Sequence, residues 1–219
     1  MIKIELNHIV EAISFLVACS YYKSLKNTFL FWVIPYLAFI LMAELGASYF
    51  KYHLHKPNGH IYVIISLVEF IFYSYLFYHF NKNNQVKKAI IIGSSILVLP
   101  YLFLFFFFSD YKGYDFYLPV YTGFYLAIVA SFYLYKISVI DDTEFAITHQ
   151  SGFWVASGVL IFFSGISISF LLYSFLKNIN IRIFGLSIYN FIPQVLSILL
   201  YGCLSIAVVV CKKKNQQLY

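Results

Sequence analysis

Seven stretches of mostly apolar residues account for most of this chain, and each is long enough to cross a lipid bilayer as a helix. Such a helix needs about 20 predominantly apolar residues. The stretches cover residues 5–22, 28–51, 60–80, 88–108, 116–139, 153–176 and 186–210. The pattern predicts an all-α, polytopic membrane protein, a bundle of seven transmembrane helices. It assigns residues 1–211 to the transmembrane domain and residues 212–219 to a short basic cytoplasmic tail.

The composition of the chain excludes a soluble globular domain. Of its 219 residues, 62% are hydrophobic and only 11% are charged. A water-soluble fold of this size has too little interior to bury so much apolar surface, so the expected environment is the lipid bilayer. The net charge of +6 does not indicate a nucleic-acid partner, because the basic residues lie scattered at the ends of the apolar stretches.

The distribution of Lys and Arg predicts the orientation of the bundle, since basic residues favour the cytoplasmic side. One side of the predicted bundle carries nine of them: Lys23, Lys26, Lys82, Lys87, Lys88, Lys136, Lys212, Lys213 and Lys214. The other side carries six: Lys3, Lys51, Lys56, Lys112, Lys177 and Arg182. We therefore predict that the N-terminus lies outside and that the C-terminus is cytoplasmic.

Two neighbouring apolar stretches contain a carboxylate at matching depth. With a helical rise of about 1.5 Å per residue, Glu44 lies roughly 12 Å and Glu69 roughly 14 Å from the outer end of its helix. Only a short loop joins these two helices, so they are antiparallel neighbours and their acids are expected to meet. Glu11 is roughly 9 Å into the first helix and is expected slightly nearer the outer surface.

Helical spacing places further polar residues on the same faces as these acids. The polar faces consist of Asn7, Glu11 and Ser14; Glu44 and Ser48; Tyr62, Ser66, Glu69 and Tyr73; and Asn190, Gln194, Ser197 and Tyr201. Pro193 lies beside the last of these faces and predicts a kink. The inner halves of the helices are mostly aliphatic and aromatic, so the pattern predicts a polar pocket that opens outward.

The acids are the strongest functional signal, because a charged carboxylate in hydrocarbon is costly and normally faces the bundle interior or a wet cavity. No basic residue lies within a predicted helix core. Two carboxylates in one site of low dielectric are expected not to ionise together, which favours a shared proton beneath tyrosine hydroxyls or a bound cation. Other polar side chains in membrane bundles often only hold helices together. The predicted ligand- or proton-binding residues are Glu44, Glu69, Glu11, Tyr73, Asn190 and Gln194.

The sequence predicts no enzyme activity, no cofactor and no metal site. We interpret His53, His55 and His60, with His8 near them, as loop histidines in contact with water. The last stretch contains no lysine for a retinal Schiff base, and no phosphate-binding loop, Ser/His/Asp set or zinc spacing occurs. Small residues one heptad apart, at 157–158 and 164–165, are interpreted as helix-packing positions.

Several segments resemble a known family. AELGASYF, PNG, LVEFIFYSYLFY and FWVASGVLIFFSG are similar to segments of uncharacterised seven-helix membrane proteins of Bacteroidota-type bacteria. The matching positions are Glu44, Glu69, Tyr73, Trp154, Gly158, Ser164 and Gly165. The resemblance implies the architecture and no activity. Separately, we predict a multi-pass location in the bacterial inner (plasma) membrane.

The function that fits these features best is a receptor- or sensor-like module. A ligand or proton in the outward-facing pocket would shift helix packing, and a separate membrane or cytoplasmic protein partner would receive the signal. The alternatives are a small transporter or channel, proton-coupled through Glu44 and Glu69, and a structural subunit of a membrane complex in which the acids only pair. An intramembrane enzyme is a weaker alternative, because no nucleophile accompanies the two acids.

Overall fold

The computed structural model describes residues 6–107, 117–139, 147–178, 181–183 and 186–216, which are almost entirely helical. Lys3, Lys112 and residues 217–219 of the predicted tail lie outside this described part. The helices are α1 (Leu6–Ser20), α2 (Tyr22–Leu25), α3 (Val33–Tyr52), α4 (Gly59–Phe80), α5 (Asn84–Phe107), α6 (Tyr117–Val139), α7 (Ser151–Leu171), α8 (Tyr173–Asn178) and α9 (Ile188–Gln216). Between α8 and α9, the strands β1 (Arg182–Ile183) and β2 (Leu186–Ser187) pair antiparallel.

Six of these helices are long and apolar enough to cross a membrane, as predicted for six of the seven stretches. They are α3 with the 3-10 turn that precedes it, α4, α5, α6, α7 and α9. The start of α5 is set by an N-cap residue: Asn83 Oδ1 accepts a hydrogen bond from the Gln85 backbone N–H at 2.8 Å. The finding supports a multi-pass membrane protein.

The first predicted span is shorter in the structure than in the prediction. Helix α1 has 15 residues, which corresponds to about 22 Å of helix, whereas the hydrocarbon core is about 30 Å thick. The face that α1 buries is polar and consists of Asn7, His8, Glu11 and Ser14, together with Ala18. The chain then turns at Tyr21 into the short α2. The seven-span topology and its orientation therefore stay predictions.

The long helices form a closed ring with one helix outside it. Helix α1 packs between α3 and α9, α3 packs against α4, α4 against α6, α6 against α7, and α7 against α9. Helix α5 lies outside this ring against α4 and α6, and only 11% of its apolar window is buried within the bundle. The interior of the ring therefore contains residues of six helices.

Small residues bring α7 and α9 into close contact, as the heptad of small residues predicts. A Cβ atom at Gly158 would lie 2.8 Å from Cys203 Cβ, and one at Gly165 would lie 2.8 Å from the Leu196 side chain. Both distances are shorter than a normal carbon contact, and at Gly158 the neighbouring atom is attached directly to the backbone, so glycine there allows the close approach of the two helices.

The connection of α3 to α4 marks one end of the bundle, which we call the α3–α4 end. Helix α9 begins at this end and extends through Lys212–Lys214 to Gln216, beyond the end predicted at residue 210. The sequence after residue 210 contains no Gly or Pro to stop the helix, and cations are favourable near a helix C-terminus.

Candidate functional site

A cavity of about 420 Å³ lies inside the ring at the α3–α4 end. Its lining residues come from the halves of α1, α3, α4, α6, α7 and α9 nearest that end, together with Asn58 of the α3–α4 connection and Tyr173 of α8. The predicted pocket between α1, α3, α4 and α9 is therefore also walled by α6 and α7.

The structure brings Glu44 and Glu69 into this one cavity. Glu69 is buried, with 8% of its surface exposed, whereas Glu44 is partly exposed. Tyr62 donates its hydroxyl to Glu44 Oε2 at 3.2 Å, and Tyr36 donates to Glu69 Oε1 at 3.5 Å. These contacts agree with the expectation that tyrosine hydroxyls cap the acids. The two carboxyl groups are close enough to repel each other electrostatically.

Aromatic side chains pack beneath the cavity, behind Glu69. Tyr36 stacks on Phe72 with ring centroids 3.8 Å apart, and its hydroxyl lies 3.2 Å from the Tyr73 hydroxyl. Tyr73 is fully buried and contacts Phe163 edge to face. The predicted site residue Tyr73 therefore lies under the cavity instead of lining it, and the Tyr36 hydroxyl contacts both its side chain and that of Glu69.

Helix α1 contributes the most deeply buried acid of the described residues. Glu11 is 1% exposed and accepts a hydrogen bond of 3.5 Å from Asn7 Nδ2. Its Oε2 atom and Asn7 Oδ1 are buried without a hydrogen-bond partner. Glu11 itself does not line the cavity, but Asn7 does, one helical turn closer to the mouth. Glu11 is near enough to interact electrostatically with both Glu44 and Glu69.

The amide side chains predicted on the last helix also reach the cavity. Asn190 and Gln194 line its wall together with Pro193, which lies inside α9. Asn190 is exposed near the mouth, and its Nδ2 donates to Ser187 Oγ at 3.0 Å. Of the six predicted site residues, four therefore line the cavity, while Glu11 and Tyr73 lie behind its surface.

The sequence analysis missed a basic residue at the mouth of the cavity. Lys51 is exposed and lines the same cavity as the acids, because it follows Glu44 by seven residues and so faces the same side of α3. This residue lies in the last turn of its helix, about 10 Å from Glu44 along the axis. The acids therefore share their cavity with a cation at its rim. The spacing of seven residues between Glu44 and Lys51 was a signal in the sequence that could have revealed this position.

The histidines separate into two environments. His53, His55 and His60 are exposed, as expected. His8 is buried and lies 3.4 Å from Ser48 Oγ in the cavity wall, so its interpretation as a loop histidine in contact with water was wrong. The polar stripe of α1 begins at Asn7, and the next residue, His8, lies on the same buried side.

The groups that the cavity collects can bind a small molecule through carboxylate and amide oxygens at one side and aromatic surface at the other. Comparison with family models, with curated proteins and with solved structures gives no match for this chain. The resemblance to seven-helix proteins of Bacteroidota-type bacteria therefore stays a prediction, and the function must be argued from the cavity itself.

Proposed function

We propose that this protein is a receptor- or sensor-like module of the bacterial inner membrane, which binds a small molecule in the cavity at the α3–α4 end. In this proposal, that end faces outward, the opposite end is cytoplasmic, and a separate membrane or cytoplasmic protein receives the signal. The observation that carries the proposal is a cavity of about 420 Å³ into which Glu44 and Glu69 project from neighbouring helices.

The size and chemistry of the cavity favour ligand binding over helix packing alone. Ligand sites typically enclose about 300–1,000 Å³ and combine apolar walls with a few convergent polar groups. Polar residues that only join helices would be expected to satisfy one another, because an unpaired buried polar group is unfavourable. Asn7 lines the cavity wall, and its buried Oδ1 atom has no hydrogen-bond partner.

The path of α9 provides a route by which occupancy of the cavity would reach the opposite end. Six residues of this helix between Tyr189 and Tyr201 line the cavity, and the same helix continues to Gln216. Pro193 removes one backbone hydrogen bond within the cavity wall, which makes this turn the preferred hinge. A ligand that moves the segment near Pro193 would tilt the remainder of α9 against α1 and α7, and a partner that contacts its far end would sense the tilt.

The test compares two tryptophan substitutions at adjacent positions of α7. Ser169 lines the cavity, whereas Ile168 is 51% exposed on the outer surface of the bundle. Wild-type protein, Ser169→Trp and Ile168→Trp are each purified from native membranes, and the bound small molecules are identified by mass spectrometry. The proposal expects a molecule that wild type and Ile168→Trp retain and that Ser169→Trp loses.

A set of bound molecules that is the same in all three proteins would contradict a ligand cavity. Association with the partner is measured in the same preparations. We expect it to differ between wild type and Ser169→Trp and to be equal in wild type and Ile168→Trp.

One observation favours a proton-coupled transporter as a second candidate. Polar contacts continue below the cavity, where Ser14 Oγ donates to the Tyr201 carbonyl at 3.1 Å and Ser205 Oγ donates to Ser14 Oγ at 3.0 Å. Together with Glu11, these groups extend the polar region toward the opposite end. Reconstituted vesicles distinguish the candidates: the transporter requires flux of the bound molecule that Glu69→Gln abolishes, whereas a receptor gives binding without flux.

A further inference from the structure

We propose that the ligand of this cavity is an organic ammonium ion whose charged group lies between Glu44, Glu69 and Asn7. The inference rests on the proposed binding function and specifies the chemical class of the ligand.

Hydrogen-bond acceptors dominate the inner part of the cavity. Glu44 and Glu69 present carboxylate oxygens to the cavity, and Asn7, another lining residue, is 9% exposed and has an Oδ1 atom that is buried without a hydrogen-bond partner. The donor end of Asn7 already contacts Glu11, so the amide cannot simply be reversed without losing that bond. The atom without a partner is thus a hydrogen-bond acceptor, and a ligand group that pairs with it must be a hydrogen-bond donor.

Several hydroxyl donors in the wall are already used by the protein. Tyr62 donates its single hydroxyl proton to Glu44, and Ser66 donates its proton to the Val63 carbonyl at 2.9 Å. The same holds for Thr122, whose hydroxyl donates to the Leu118 carbonyl at 2.9 Å, and for Ser169, which donates to the Gly165 carbonyl at 2.8 Å. A hydroxyl has one proton, so these side chains have no further donor to offer an anionic ligand.

The spacing of the acids favours a polyatomic cation over a metal ion. Among the residues that the structure describes, no three His, Cys, Asp or Glu side chains lie close enough to hold one metal ion. Glu44 and Glu69 belong to different helices and face a cavity of about 420 Å³. An ammonium group has several N–H donors and can satisfy acceptors on separate helices at once, whereas a metal ion needs its ligands within about 2.0–2.6 Å.

The wall on α7 supplies apolar surface for the rest of the ligand. Phe162, Phe163, Ile166 and Phe170 line the cavity on this helix, which lies across the ring from the acids of α3 and α4. Aromatic faces attract cations as well as apolar groups. Lys51 lies at the exposed mouth, about 10 Å along α3 from Glu44, so the charge that dominates the buried end of the cavity is negative.

The test uses the full chain in lipid nanodiscs and three probes of nearly equal size. These are 2-phenylethylamine, the neutral 2-phenylethanol and the anionic 3-phenylpropanoate, and their dissociation constants are measured by calorimetry. We expect the amine to bind at least about tenfold more tightly than the alcohol, since hydrogen bonds to charged groups are stronger than neutral ones. Glu44→Gln and Glu69→Gln should each remove most of this preference, and Lys51→Gln should strengthen binding of the amine only.

The outcomes separate the two proposals. Equal affinity for amine and alcohol, tighter binding of the acid, or no binding of the amine would each overturn the ammonium assignment. The native-membrane comparison of Ser169→Trp with Ile168→Trp does not depend on the probe. A molecule that is lost only from Ser169→Trp would therefore support the proposed binding function even when the ammonium assignment fails. Ile168→Trp also controls the calorimetry, and it should leave the preference for the amine intact.

Discussion

The contact between α7 and α9 makes Gly158→Ala the sharpest test of the bundle. The added Cβ would lie 2.8 Å from Cys203 Cβ and 3.5 Å from the Leu200 carbonyl oxygen. Carbon atoms prefer about 3.5–4.0 Å, so the two helices would have to separate by about 1 Å. Cys203 Cβ is attached directly to the backbone and cannot move aside as a flexible side chain can.

The magnitude follows from two opposing contributions. Overpacking of a tight contact costs about 1–3 kcal/mol, and the higher helix propensity of alanine returns at most about 1 kcal/mol. We therefore expect Gly158→Ala to lower the free energy of unfolding by about 1–2 kcal/mol. Gly202→Ala on α9 is the matched control, because nothing lies within 4 Å of a Cβ there. The control should be neutral or slightly stabilising.

Unfolding of both variants and of wild type in the same detergent, followed by loss of helical circular dichroism, measures the difference. Equal stability of Gly158→Ala and Gly202→Ala would refute the close contact of α7 with α9, and with it the wall that α7 contributes to the cavity.

Three further predictions concern Glu69, Tyr36 and the orientation. Glu69→Leu should abolish binding of the amine and retain or raise the stability of the protein. A well-packed apolar side chain replaces a buried polar one, and Tyr36 keeps its contact with Tyr73. A loss of more than about 2 kcal/mol in an unfolding experiment would contradict this. Tyr36→Phe removes the hydroxyl that contacts both Glu69 and Tyr73. We therefore expect the free energy of unfolding to fall by about 1–2 kcal/mol in the same assay. An unchanged free energy of unfolding would mean that these hydrogen bonds are not formed. In a Cys19→Ser background, an impermeant maleimide added to intact cells should label Lys56→Cys but not Lys82→Cys; labelling of Lys82→Cys alone would reverse the proposed orientation.

The sequence predicted those parts of the fold that length and apolar content determine. The spans α3 to α7 and α9 were evident because each contains about 20 apolar residues. The presence of Glu44 and Glu69 in one cavity was predictable, because a short loop makes α3 and α4 antiparallel and equal depth aligns the two acids. The place of Asn190 and Gln194 on the cavity wall followed from helical spacing in the same way.

Other features depended on tertiary contacts that the sequence does not reveal. In a bilayer both faces of a helix are apolar, so no periodic pattern showed that α5 lies outside the ring. Tyr36 was missed because nothing polar near it on α3 marked its side as buried, and its partners Glu69 and Tyr73 lie on another helix. The length of α1 depended on where the chain turns after Ser20, and helix ends are the least reliable part of such predictions.

The central claim is that Glu44 and Glu69 face a ligand cavity inside the bundle. An experimental density map of the full chain, purified from native membranes into nanodiscs and resolved to the level of side chains, tests it most directly. The account predicts non-protein density within hydrogen-bond distance of both carboxyl groups and of Asn7 Oδ1. Glutamates that face lipid, or a cavity filled by the protein's own side chains, would contradict it.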